Sequence, residues 1–69
     1  MPSTLIRAFS YNDVAATLEV TFASGAIYHY YQVPPDIAHQ MRQAFAKGEY
    51  FNRFIRGKYR FQRMSTRSA

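Results

Sequence analysis

The sequence predicts an α+β fold, a three-stranded antiparallel meander followed by one long and one short helix, with room for a short C-terminal strand. Three observations carry this. Residues 4–11, TLIRAFSY, and 17–22, TLEVTF, are rich in β-branched and aromatic types and flank the turn residues Asn12 and Asp13. A third such run, AIYHYYQV, stops at Pro34-Pro35, where the ladder loses a donor and the preceding residue is held extended. Beyond the prolines the apolar spacing changes from two residues to three and four.

The second strand alternates, with Leu18, Val20 and Phe22 on one face and Thr17, Glu19 and Thr21 on the other. Its partner has two available registers. A two-residue loop at Ser24-Gly25 sets Ile27, His29 and Tyr31 beside the apolar face. A three-residue loop, with Gly25 left-handed in a bulge, sets Tyr28 opposite Val20 and Tyr30 opposite Leu18. The second is preferred, because glycine sits where the turn needs positive φ and His29 stays on the polar face. Tyr28 and Tyr30 are then core residues, and exposed contacts are expected sooner at Tyr31 or His29.

Pro35 suits the first position of a helix read over 36–47. Ile37, Met41, Ala44 and Phe45 form its apolar stripe, and His39, Gln40, Arg42 and Gln43 the remainder. Asp36 and Lys47 suit the two ends of the dipole, and Gly48 reads as the C-terminal cap. Phe51, Phe54 and Ile55 mark one side of a short helix that Gly57 ends. Tyr59 and Phe61 then alternate with Lys58, Arg60 and Gln62, which suggests a last extended segment on or beside the sheet. The domain spans 1–64, and 65–69 reads as a flexible tail.

At 69 residues there is room for a single small domain. Such a chain buries only about 60% of the surface that its unfolded form exposes. With no cysteine, no disulfide or thiolate metal site supplements that core, so self-association into a homodimer is expected to supply further burial, covering Phe9, Ile27, Tyr31 and Phe61. No apolar run spans a bilayer and the start, MPSTLIRAFSYND, has no signal-like apolar stretch. No membrane association and a cytoplasmic location are expected.

Charge is distributed unevenly. Nine Lys and Arg against four Asp and Glu give a net charge of +5. From Tyr50 onward stand Arg53, Arg56, Lys58, Arg60, Arg63 and Arg67 with no acid among them, whereas residues 1–49 hold three bases and four acids. Cations without local counter-charge, interleaved with Tyr59 and Phe61, suit a phosphate backbone, and the planar arginine fork suits phosphate oxygens. Arg53, Arg56, Lys58, Arg60 and Arg63 are therefore expected to bind nucleic acid, with Asn52 and Tyr59 as accessory contacts and Arg42 or Lys47 extending the patch where the helices lie side by side. The bland alternative is a solvated basic face. The alternative from another class is a protein-interaction module whose aromatic and arginine patch meets an acidic partner.

No enzyme is expected, and no cofactor, catalytic residue or metal ligand is assigned. His29 and His39 with four scattered carboxylates match no metal-ligand spacing. No glycine-rich phosphate loop, nucleophile elbow or paired-carboxylate spacing is present.

The stretch LEVTFASGAIYHYYQVPPDIAHQMRQAFAKGEYFNRFIRGKYRF resembles the KTSC domain, found at the C-terminus of some lysyl-tRNA synthetases and as stand-alone bacterial proteins. The resemblance runs from about Thr4 to Met64, through Tyr28-His29-Tyr30, Val33-Pro34, Gly48, Tyr50-Phe51-Asn52 and Arg56-Gly57-Lys58-Tyr59. It implies RNA binding, by analogy with attachment to an enzyme that holds tRNA. DNA and RNA both stay open, because phosphate contacts carry neither base nor 2′-hydroxyl information.

Overall fold

The structure, a computed structural model, describes residues 6–64. The proposed tail at 65–69 and Arg67 lie outside the described residues, as do the first two positions of the strand read from Thr4. In order come β1 (Ile6–Asn12), β2 (Thr17–Phe22), β3 (Ile27–Tyr30), α1 (Pro35–Gln43), α2 (Lys47–Phe54) and β4 (Phe61–Met64). The strands form one antiparallel sheet in the order β1-β2-β3-β4. The meander and the two helices are as the sequence predicts, and the last extended segment joins the sheet.

Asn12 builds the first turn: its Oδ1 accepts the N–H groups of Val14 and Ala15 at 3.0 and 3.1 Å, the local bonding that makes asparagine a turn residue. The second hairpin has the three-residue loop. Gly25 sits at φ +98°, its N–H bonds to the Phe22 carbonyl at 2.8 Å, and the Phe22 N–H reaches Ala26 at 2.9 Å. Tyr30 accordingly stands opposite Leu18 and Tyr28 opposite Val20, while His29 faces Glu19. The sheet thereby gains one apolar face and one polar face.

On the apolar face Leu18, Val20, Tyr30, Val33, Met41, Phe51 and Ile55 form the core, with Phe9, Tyr11, Phe22, Tyr28 and Tyr59 packed around it. Phe51 makes edge-to-face contacts with Phe22 and Tyr30, at centroid separations of 5.5 and 5.2 Å, a favoured geometry for ring quadrupoles. Tyr11 donates its hydroxyl to the Val33 carbonyl at 2.6 Å, and the Val33 N–H bonds to Ala16 at 2.9 Å. These bonds pin the chain leaving the sheet, so that Pro35 starts α1 over the core. Among the described residues no helix is long and apolar enough to cross a membrane.

Five expectations are corrected. The third strand ends at Tyr30, not Val33; Gln32 turns the chain out of the ladder with φ +57°. The first helix ends at Gln43, not residue 47, because Ala44 is extended with ψ 139°. Gly48 is consequently inside α2 and caps nothing, and Lys47 opens α2. Phe45 leaves the stripe altogether and is fully exposed, whereas Phe51 is buried. The reason is tertiary: the bend returns the chain so that Phe51 and Ile55 pack on the sheet, and the Lys47 Nζ donates to the Ala44 carbonyl at 3.0 Å, satisfying a helix-end acceptor. Phe54, read as part of the buried side of the short helix, is partly exposed as well.

Candidate nucleic-acid interface

The cations after α2 have anchored backbones and exposed side chains. α2 closes with the Ile55 and Arg56 N–H groups both on the Phe51 carbonyl, at 2.9 and 2.8 Å, and the Lys58 N–H bonds to Ile55 at 3.0 Å. Gly57 adopts φ +77°, the left-handed conformation that ends a helix and redirects the chain. The Arg60 carbonyl then accepts from the Tyr31 N–H at 2.9 Å, which fixes the entry to β4. Arg53, Arg56, Lys58, Arg60 and Arg63 are all exposed. The Arg56 Nη1 donates to Asn52 Oδ1 across one helical turn at 3.3 Å. Among the described residues the one ion pair is His29 with Glu19 at 3.6 Å, so none of these five cations is neutralised by a carboxylate.

The pairing of β4 with β3 decides which side the cations occupy. Tyr30 stands opposite Phe61 and Tyr28 opposite Arg63, and paired residues share a face. Arg63 and Phe61 therefore emerge on the apolar face, beyond the cover of α2. There Phe22, Tyr28, Tyr30, Phe51, Phe61 and Arg56 line a cleft of about 380 Å³. Phe61 is about half exposed, and its ring lies 5.6 Å from that of Tyr28 and 5.5 Å from that of Tyr30. Burial pushes the Tyr30 phenol above its usual range; the neighbouring Tyr28 adds to this, and the Arg56 charge opposes it.

The remaining predicted residues are placed differently. Tyr59 is half-buried against the core. Arg42 lies in a hollow with Tyr11, Asp13 and His39, which none of the C-terminal cations lines. Lys47 is held to Ala44. Arg53 faces a third hollow with Phe45, Glu49 and Tyr50. The structure thus joins Arg56 and Arg63 through one sheet face, and it gives Arg42, Lys47 and Arg53 other surroundings.

Sequence reasoning missed the cleft. Tyr28 and Tyr30 are core positions in the expected register; Tyr30 is buried as expected, while Tyr28 is half-buried and reaches the cleft wall. The signal available was the alternation of Phe61 with Arg63 beside the Tyr28-Tyr30 pair. His29 and Tyr31 are engaged elsewhere, His29 with Glu19 and the Tyr31 hydroxyl with Gln62 at 3.1 Å.

Comparison with known proteins gives one consistent result. The KTSC domain family matches residues 2–59. A lysine–tRNA ligase of Nostoc punctiforme is 41% identical over 61 residues, 88% of this chain and 11% of the ligase. The chain thus spans about a tenth of the length of the curated ligases it matches. A protein of Stutzerimonas stutzeri is 34% identical over 65 residues, covering 93% of this chain and 92% of that one. The crystal structure of a KTSC domain protein from Yersinia pestis superposes with a TM-score of 0.86 at 26% identity, over 94% of this chain and 92% of that chain. The meander, two helices and closing strand are therefore the fold of the KTSC domain family, and this chain belongs to it.

Proposed function

We infer that the domain is a non-enzymatic nucleic-acid-binding module that holds phosphates through Arg56, Lys58, Arg60 and Arg63, with Arg53 and Asn52 beside them. The observation that carries this is five exposed cations on a pinned backbone, none with a carboxylate partner among the described residues. Desolvating an unpaired guanidinium against a phosphate sacrifices no internal ion pair, and it releases condensed counterions. The ligases that share the domain act on tRNA by their own name, which adds RNA to the candidate partners. A cytoplasmic setting, where nucleic acids are met, belongs to the same reading. A homodimer is proposed with it, since partly exposed Phe54 and fully exposed Phe45 leave apolar surface for a second copy.

The test is a salt titration of binding to duplex and to single strands. With about five phosphates neutralised, log K falls against log salt with a slope near −4.5 on duplex. A flat slope would remove the mechanism. A second reading, a protein-interaction module, is favoured by one observation: Phe45, Tyr50 and Phe54, with Arg53 and Glu49 among them, form an aromatic patch away from the cleft, the composition of an interface hot spot. Chemical-shift mapping separates the two, because nucleic acid moves the resonances of residues 56–63, whereas a protein partner moves those of Phe45, Tyr50 and Phe54 and leaves 58–63 in place.

A further inference from the structure

We propose that the cleft between the end of α2 and strands β3 and β4 holds one unpaired nucleotide of a single strand, its base against Phe61 and Tyr28 and its phosphate on Arg56 and Arg63. This rests on the nucleic-acid reading above and adds a ligand conformation to it. A volume of about 380 Å³ sits at the small end of ligand cavities, which run from about 300 to 1,000 Å³, and it admits a ring system and not a helix. The walls are chiefly aromatic, and Phe61 presents its ring at an edge strand without helical cover. An open ring beside guanidinium groups is the arrangement on which bases stack in single-strand binders.

The hydroxyls decide between a base and an apolar side chain. Neither Tyr28 nor Tyr30 makes a hydrogen bond through its hydroxyl to another described residue, and neither hydroxyl is sealed from solvent. Two phenols without a hydrogen-bond partner among the described residues, in a cleft that Ser24 and Arg56 also line, suit a ring with heteroatoms on its edge, which a phenylalanine of a peptide partner lacks. The charge agrees: Arg56 lines the cleft with Tyr30, and Arg63, although not part of the cleft wall, stands opposite Tyr28 on the adjoining strand and the same face of the sheet.

The test uses the full chain with a ten-nucleotide single strand carrying one 2-aminopurine, in DNA and in RNA form, and a hairpin duplex of the same sequence. Binding of the single strand quenches the 2-aminopurine as the base stacks, and Phe61→Ala lowers single-strand affinity about tenfold while changing duplex affinity less than twofold. Tyr28→Phe, which removes only a hydroxyl and keeps the ring, lowers single-strand affinity and leaves the fold intact. Arg60→Ala weakens both ligands alike. If Phe61→Ala and Tyr28→Phe leave single-strand binding unchanged while Arg60→Ala weakens it, the cleft assignment is wrong and the nucleic-acid reading stands. If the unaltered protein binds neither strand form, both fail.

Discussion

Tyr30 combines packing and charge in one side chain. It is buried against Phe51 and Leu18, stacked 6.3 Å from Tyr28 and tilted against Phe61. Its phenol ionises above the usual value near 10, chiefly because burial disfavours the phenolate, secondarily because Tyr28 lies near, with Arg56 opposing. The consequence for stability has a definite sign. Below pH 10 both folded and unfolded chains hold the proton, and the contribution is fully present. As pH rises past 10 the unfolded chain loses its proton first, so the unfolded state binds fewer protons and folding stability falls until the folded value is reached. Urea midpoints are expected to drop as pH rises past 10, and Tyr30→Phe should flatten part of the drop. The remainder belongs in part to Tyr50, whose phenol is also raised by burial with Tyr59 beside it. Identical slopes for Tyr30→Phe and the unaltered protein would contradict this account.

Among the elements, the break between α1 and α2 has the largest effect on what reaches the surface. Met41 and Phe45 are four residues apart, so an uninterrupted helix would place both on the core side. The structure buries Met41 fully and exposes Phe45 fully. Met41→Ala is therefore expected to cost about 2–5 kcal/mol, and Phe45→Ala to change stability by less than about 0.5 kcal/mol, both read from denaturant midpoints at constant m. A large loss for Phe45→Ala would restore the longer helix. The sequence made the hairpins legible because strand period, the Asn12 turn and Gly25 each fix a local geometry. It hid the helix break because Ala44 and Phe45 continue the apolar stripe without a proline or glycine between them and Met41. What ends α1 is the bond from Lys47 to Ala44 and the packing of Phe51 on Tyr30 and Phe22, tertiary facts with no local signature. The same divide runs through the site. The cations were readable as a charge run, whereas the cleft needs Arg56 from α2's end, Tyr28 from β3 and Phe61 from β4, brought together only by strand pairing.

For the molecule as a whole, the same unpaired cations that favour an anionic partner act against the free fold. The net charge is +5, and Arg53, Arg56, Lys58, Arg60 and Arg63 fall within eleven positions with no ion-paired carboxylate among the described residues. Their mutual repulsion in the free protein is screened over about 10 Å at 0.1 M salt and about 3 Å at 1 M. Sodium chloride should therefore move stability and binding in opposite directions. Between 0.02 and 0.5 M the Tm of the free domain is expected to rise by a few degrees, since about 1 kcal/mol shifts the Tm of a 60–100-residue domain by about 4–8 °C. Over the same range affinity for nucleic acid falls. Arg60→Gln removes one cation and should both raise the low-salt Tm and reduce its dependence on salt, while lowering affinity. Scanning calorimetry of free protein and variant decides the matter: a Tm that falls with salt would mean that favourable charge pairs hold the fold, and the cations would then be engaged within the molecule instead of available to a partner.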